Sequence, residues 1–198
     1  VGGRIVDQLA GPIAVKVGHG AVGVLGRPGT LRRRAGGRIG AAHVKVCYGS
    51  PALAGRTMLD GEAVPFGQLW RTGANEPTSL HLDRVVRVGD LVLRAGSYSL
   101  YTVPGERDWT VIFNRATRQW GIESAYDAEV AAQEVGRLQV RARPRESPVE
   151  RLTFRSEPSA TAAVDLILEW QQTQIRLPFD SGFAAPDPDD VPGASGPD

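Results

Sequence analysis

From Val44 onward the chain is written in short runs of β-branched, aromatic and leucine residues, cut by Gly, Pro, Asp or Asn every 8 to 12 residues. That punctuation leaves little room for helices and is the spacing of an all-β sandwich or barrel. It predicts strands over 44–48, 68–71, 78–82, 85–88, 91–94, 97–103, 109–114, 137–143, 149–155, 163–170 and 174–179. Gly89-Asp90 supplies the positive φ of a two-residue turn, so the runs on either side should be antiparallel neighbours, and Gln171-Gln172 suggests a second, less ideal hairpin. Leu138, Val140 and Ala142 alternate with Gln139, Arg141 and Arg143, as Val164, Leu166 and Leu168 do with Asp165 and Glu169. Such strands bury one face only. One short helix is expected over 127–135, behind the N-cap residue Asp127.

Of the 198 residues 41% are hydrophobic, enough for one compact core. No uncharged apolar run approaches the roughly 18–20 residues that a membrane-spanning helix needs. The single cysteine, Cys47, rules out an intrachain disulfide, and three histidines do not make a structural zinc site of the usual kind, so no metal or cofactor is expected. Charge divides the chain unevenly: residues 1–45 carry +7, residues 180–198 carry −5 and the middle −1. Residues 1–42, glycine-rich and without an aromatic, read as a basic flexible arm, 43–180 as the β-sandwich, and 181–198 as an acidic disordered tail. Arg32, Arg33 and Arg34 are the arm's densest basic point, yet no aromatics interleave with them for base stacking, which argues against nucleic acid as the partner. Asp7, Lys16, His19 and several glycines interrupt any signal-peptide pattern, so the compartment stays open, as does the oligomeric state.

Unusual residues concentrate in VPFGQLWRTGANEPTSLHL, residues 64–82, which places Trp70, Arg71, Asn75, Glu76, Thr78 and His81 within twelve positions. A guanidinium fork, an amide and a carboxylate at a strand entrance suit a carboxylate, sugar or phosphate, with Trp70 as an apolar wall. The same residues also suit a purely structural reading: Arg71 paired with Glu76, Asn75 in a turn, Trp70 in the core. Alternation turns His81 away from Leu80 and Leu82, and no metal-ligand spacing of histidines exists. Tyr98 and Tyr101 fall on opposite faces of their strand, and Trp109, Trp120 and Trp170 adjoin strand ends as core anchors. Ser50, in Gly-Ser-Pro, lacks the strand-to-helix context of a nucleophile.

Read together, YGSPxLxGR at 48–56, VPFGQLWRTGANEPT at 64–78, LRAGSYSLYTVPG at 93–105, WTVIFNR at 109–115, QWG at 119–121 and LEW at 168–170 resemble the bacterial domain of unknown function (DUF) family 2911, over about residues 43–180. The resemblance implies a β-sandwich or jelly-roll-like fold, frequent export behind a signal peptide or lipid anchor, and no established activity. The polar positions matching its motifs are Arg56, Arg71, Asn75, Thr78, Ser99 and Asn114, with Tyr48, Trp70, Tyr98 and Trp120 as aromatic companions.

The expectation is therefore a single antiparallel β-sandwich with one short helix, acting as a binding module for a small polar ligand, a glycan or another cell-envelope component. Its ligand residues would be Arg56, Trp70, Arg71, Asn75, Thr78, Tyr98, Ser99 and Asn114. Two alternatives stand beside it: a hydrolase-like enzyme using Glu76 or Asp127 with His81, and a domain with a structural or interaction role only.

Overall fold

The computed structural model describes residues 30–159 and 163–182. Two antiparallel sheets pack face to face. The larger has the order β1-β2-β3-β6-β7-β8, and the smaller β5-β4-β10-β9. Their strands are β1 (Thr30–Ile39), β2 (Ala42–Pro51), β3 (Thr78–Leu82), β4 (Val86–Val88), β5 (Leu91–Leu93), β6 (Gly96–Val103), β7 (Asp108–Asn114), β8 (Glu134–Arg141), β9 (Arg143–Pro158) and β10 (Val164–Asp180). The β-sandwich expected from the punctuation is present. Gly89, at φ 58°, turns β4 into β5 with Val88 opposite Leu91, as the hairpin signal requires.

Several expectations are corrected. Residues 30–39, read as part of the arm, form β1, paired with β2 from Thr30 opposite Pro51 to Ile39 opposite Ala42. Few apolar residues advertise this strand: of those it turns inward, Ala35 and Ile39 are buried. The rest of the expected arm, 1–29, and residues 183–198 of the expected tail lie outside the described residues. The two strands proposed around Gln171-Gln172 are the single strand β10, because Gln171, at φ 54°, forms a bulge that the chain passes through without reversing. Residues 68–71 make no strand; Trp70 alone bridges to Thr102. The helix α1 is shorter than expected, Ala128–Ala131, with the Asp127 carboxylate accepting from Val130 N–H at 2.9 Å as its N-cap.

Three indoles centre the core. Trp70 stacks on Trp170, with centroids 5.5 Å apart and planes at 14°, and meets Trp109 edge-on at 6.4 Å. Tyr48 packs edge-on against Phe154 at 4.8 Å and accepts the Phe154 N–H. Trp120 departs from the core role expected of it and is 64% exposed. No helix among the described residues is long and apolar enough to cross a membrane.

Beyond the core, the outward face of the smaller sheet is tied by ions. Glu169, 5% exposed, takes a two-pronged bond from Arg155 at 2.9 and 2.8 Å, a third from Arg145, and a fourth from Gln174 Nε2 at 3.1 Å. Arg155 and Arg176 share Glu157, and Arg176 reaches Asp165.

Candidate functional site

The outward face of the larger sheet carries a polar row straight across its strands: Arg34, Cys47, Ser79, Ser99, Asn114 and Glu134 are successive cross-strand partners. Half of that face is covered. The chain leaving β7 at Asn114 crosses back over it before returning through a 3-10 turn (Glu123–Ala125) and α1 to β8. Polar side chains of the row hold this covering segment down. Asn114 accepts from Ala116 N–H at 2.7 Å and donates to the Val130 carbonyl at 2.6 Å; Ser99 Oγ donates to the Ala116 carbonyl at 2.7 Å. Gln119 Nε2 donates to the Tyr101 hydroxyl at 2.9 Å and to the Ala116 carbonyl at 3.0 Å. The Tyr126 hydroxyl, edge-on to Tyr101, donates to Glu134, which Arg137 grips at 2.8 and 2.7 Å. Burial and the Glu134 carboxylate push the Tyr126 phenol up to about 12, while Arg137 holds the Glu134 carboxyl below the usual range.

The far end of the segment is latched to the motif residues 70–78. Arg71 Nη1 donates to both Glu123 oxygens at 2.9 and 2.7 Å, so its partner is Glu123 rather than the expected Glu76, which pairs with Arg32 at 3.0 Å. Alternation suggests the nearer acid; the covering segment brings a more distant one. Asn75 adopts φ 69° and Thr72 φ 59°, a conformation that asparagine tolerates and threonine rarely enters. Thr72 is kept there by its hydroxyl contact with Thr102, 3.1 Å, and by Thr78 Oγ1, which donates to its carbonyl at 2.8 Å. Gly121 lies so close above this turn that a Cβ there would stand 1.5 Å from the Asn75 carbonyl oxygen. Only glycine fits at that crossing. Both side-chain bonds from Arg71 to Glu123 come from one nitrogen, Nη1, so lysine keeps the charge but exchanges the planar, partly buried guanidinium that places this nitrogen for a flexible, strongly hydrated ammonium. Arg71→Lys should cost about 1–2 kcal/mol in denaturant titration and speed amide exchange in 115–127; unchanged stability and exchange would refute the latch.

Between the first turn of the segment and α1 lies a cleft of about 470 Å³, lined among others by Arg115, Arg118, Gln119, Asp127, Glu129 and Gln133. Its size falls in the range of small-molecule sites. Arg115, Arg118, Asp127 and Glu129 line it with charges of both signs, and none of the four makes an ion pair among the described residues. The Arg115 guanidinium lies 4.4 Å above the Tyr98 ring, whose hydroxyl donates to the Arg94 carbonyl at 2.7 Å.

The eight residues singled out from the sequence thus separate. Ser99 and Asn114 hold residues that line the cleft, and Tyr98, on the core-facing side of β6, lies under the Arg115 guanidinium, while Arg71 bonds the segment's far end and Gly121 crosses close over the Asn75 carbonyl. Thr78 braces the turn, Trp70 is core, and Arg56 bonds the Leu53 and Ala52 carbonyls in its own loop. His81 bonds Ser79 and Ser97 at 3.1 and 2.8 Å; Glu76 and Asp127 are engaged with Arg32 and the α1 N-terminus. Among the described residues no cluster of three or more His, Cys, Asp or Glu is placed to hold a metal. Sequence reasoning missed Arg118, Glu129 and Gln133. Gln119 lies inside the QWG motif, beside the exposed Trp120.

The motifs that build this face recur as a family pattern: the family described as "Protein of unknown function (DUF2911)" matches residues 32–179. The chain belongs to the DUF2911 family. The match begins two residues into β1, so the family pattern includes the strand that the arm reading left out. No curated protein and no solved structure shows a significant match to the chain. In this DUF2911 domain the distinctive WRTGAN segment, residues 70–75, serves as the seat of the covering segment.

Proposed function

We propose that this domain is a binding module for a small, polar, hydroxyl-rich ligand of sugar size, taken up in the cleft between 115–119 and α1. The supporting observation is that Arg115, Arg118, Asp127 and Glu129 line one cleft yet form no ion pair among the described residues. The charged groups around Glu169, by contrast, pair with one another. Planar guanidinium, carboxylate and carboxamide groups at a cleft wall can each make two bonds to neighbouring hydroxyls, which a polyol presents and an apolar ligand does not. Rigidity comes from the sheet, where Ser99 and Asn114 fix lining residues and Tyr98 lies under Arg115.

Amide chemical-shift mapping with a panel of mono- and disaccharides tests this. The expected result is a perturbed set confined to 115–119 and 127–133, with Arg118→Gln/Glu129→Gln weakening the binding at least tenfold and leaving the melting temperature within about 2 °C of the parent. Binding that maps elsewhere, or that survives the double substitution, would refute the assignment.

A further inference from the structure

The half of the larger sheet that no described residue crosses has a different character. On β1 the outward positions include Arg32, Arg34 and Arg38, and on β2 His43, Lys45 and Cys47. Arg32, Arg34, Arg38 and Lys45 are all exposed. Lys45 stands opposite His81, and His81 opposite Ser97, while Arg34 continues through Cys47 to Ser79. Two carboxylates border this surface, and both are engaged: Glu76 by Arg32 and Asp83 by His43, at 3.0 and 2.8 Å. Arg34 and Lys45 make no ion pair among the described residues. The result is a strip of cations with hydroxyls and an imidazole beside it.

From this we infer that the outward face of β1–β3 is a second binding surface, for an acidic polysaccharide carrying regularly spaced carboxylate or sulfate groups. The shape of the array argues for a polymer. Outward side chains two residues apart on a strand are roughly 6.8 Å apart, so Arg32 and Arg34 and, four residues on, Arg38 form a line rather than a basket around one small anion. Ser79 and Ser97, each bonded to one ring nitrogen of His81, keep hydroxyl capacity for the sugar hydroxyls between the charges. Burial and the Lys45 ammonium both push the His81 pKa down, which favours the neutral ring that holds the two serine hydroxyls in place. The outward residues of these strands include no aromatic on which a base could stack, which sets the surface apart from a single-stranded nucleic-acid site. None of these residues lines the cleft, so the inference goes beyond the proposed cleft function and does not depend on it.

The test is biolayer interferometry of the full chain on immobilised polygalacturonate, with neutral dextran and a single-stranded oligodeoxynucleotide as comparators. Binding to polygalacturonate at low salt, weakening as salt is added, and no binding to dextran are expected. Arg34→Gln/Lys45→Gln should weaken it at least tenfold. Arg107→Gln/Arg141→Gln, the same change in net charge at exposed positions beyond this face, should change it less than twofold, as should the cleft variant Arg118→Gln/Glu129→Gln. Melting temperatures of the variants establish that each is folded. Equal losses in the two charge-matched doubles would show attraction by net charge alone and overturn the inference. So would absence of binding, loss on changing the cleft, or equal affinity for the oligonucleotide with the same residue dependence.

Discussion

Trp70→Ala should destabilise the domain by about 3–5 kcal/mol, the range for truncating a large buried aromatic, and lower its melting temperature by roughly 6–20 °C. The indole is 4% exposed, stacks on Trp170 and meets Trp109, so its removal opens a void between both sheets. Its Nε1–H also donates to the Gly73 carbonyl at 3.1 Å, which ties the core to the turn beneath the covering segment. Amide exchange in 115–127 should therefore rise together with the loss of stability. Trp120→Ala provides the contrast. At 64% exposure its expected effect is within about 0.5 kcal/mol. Calorimetry that gives the two substitutions similar effects would contradict the core described above.

Glu169→Ala should cost about 2–4 kcal/mol in urea titration, towards the lower end for a broken buried ion pair, because Arg145 and Arg155 each remain 29% exposed and can rehydrate. The pH dependence has a definite sign. Arg155 foremost, with Arg145 and Arg176, holds the folded-state Glu169 carboxyl below the usual carboxylate range. In the unfolded chain it titrates near the ordinary value, about 4.3. The folded state thus releases this proton more readily, so the contribution is complete above the ordinary value and disappears as pH falls through the lower folded one. Glu169→Gln should flatten the acid limb of the stability profile. A profile of unchanged slope would remove Glu169 from the account of acid stability.

Much of the sandwich was legible because its strands alternate. Leu80 and Leu82 against Ser79 and His81, and Tyr98 against Tyr101, place each side chain on the face that alternation assigns. What escaped had physical reasons. β1 hides behind arginines and glycines, since a strand at a sheet edge needs only a few small inward residues to pair ten positions with β2. Gln171 resembles a hairpin because a bulge and a turn both call for an unusual backbone, and only the partner strand, β9, decides between them. The polar motif residues were legible as a group, but their task was not. Arg71 meets Glu123 across 52 positions of sequence, through a crossing segment that has no periodic signature of its own. The cleft belongs to that segment, and for the same reason it could not be anticipated.

The strand order of the smaller sheet bears on how this chain reaches its fold. β4 and β5 pair with each other locally, yet their sheet partner is β10, with Val88 opposite Phe179. Closing so long a loop carries an entropic cost before the contact returns anything, and non-local pairings of this kind slow folding. On a ribosome, β1, β2, β3, β6, β7 and β8 emerge in the order in which they adjoin one another in the sheet. The β4–β5 hairpin, whose Val86, Val88 and Leu93 are fully buried in the finished domain, meets β8 of the facing sheet once residue 141 has been made, but its in-sheet partner arrives only when residue 179 has been synthesised.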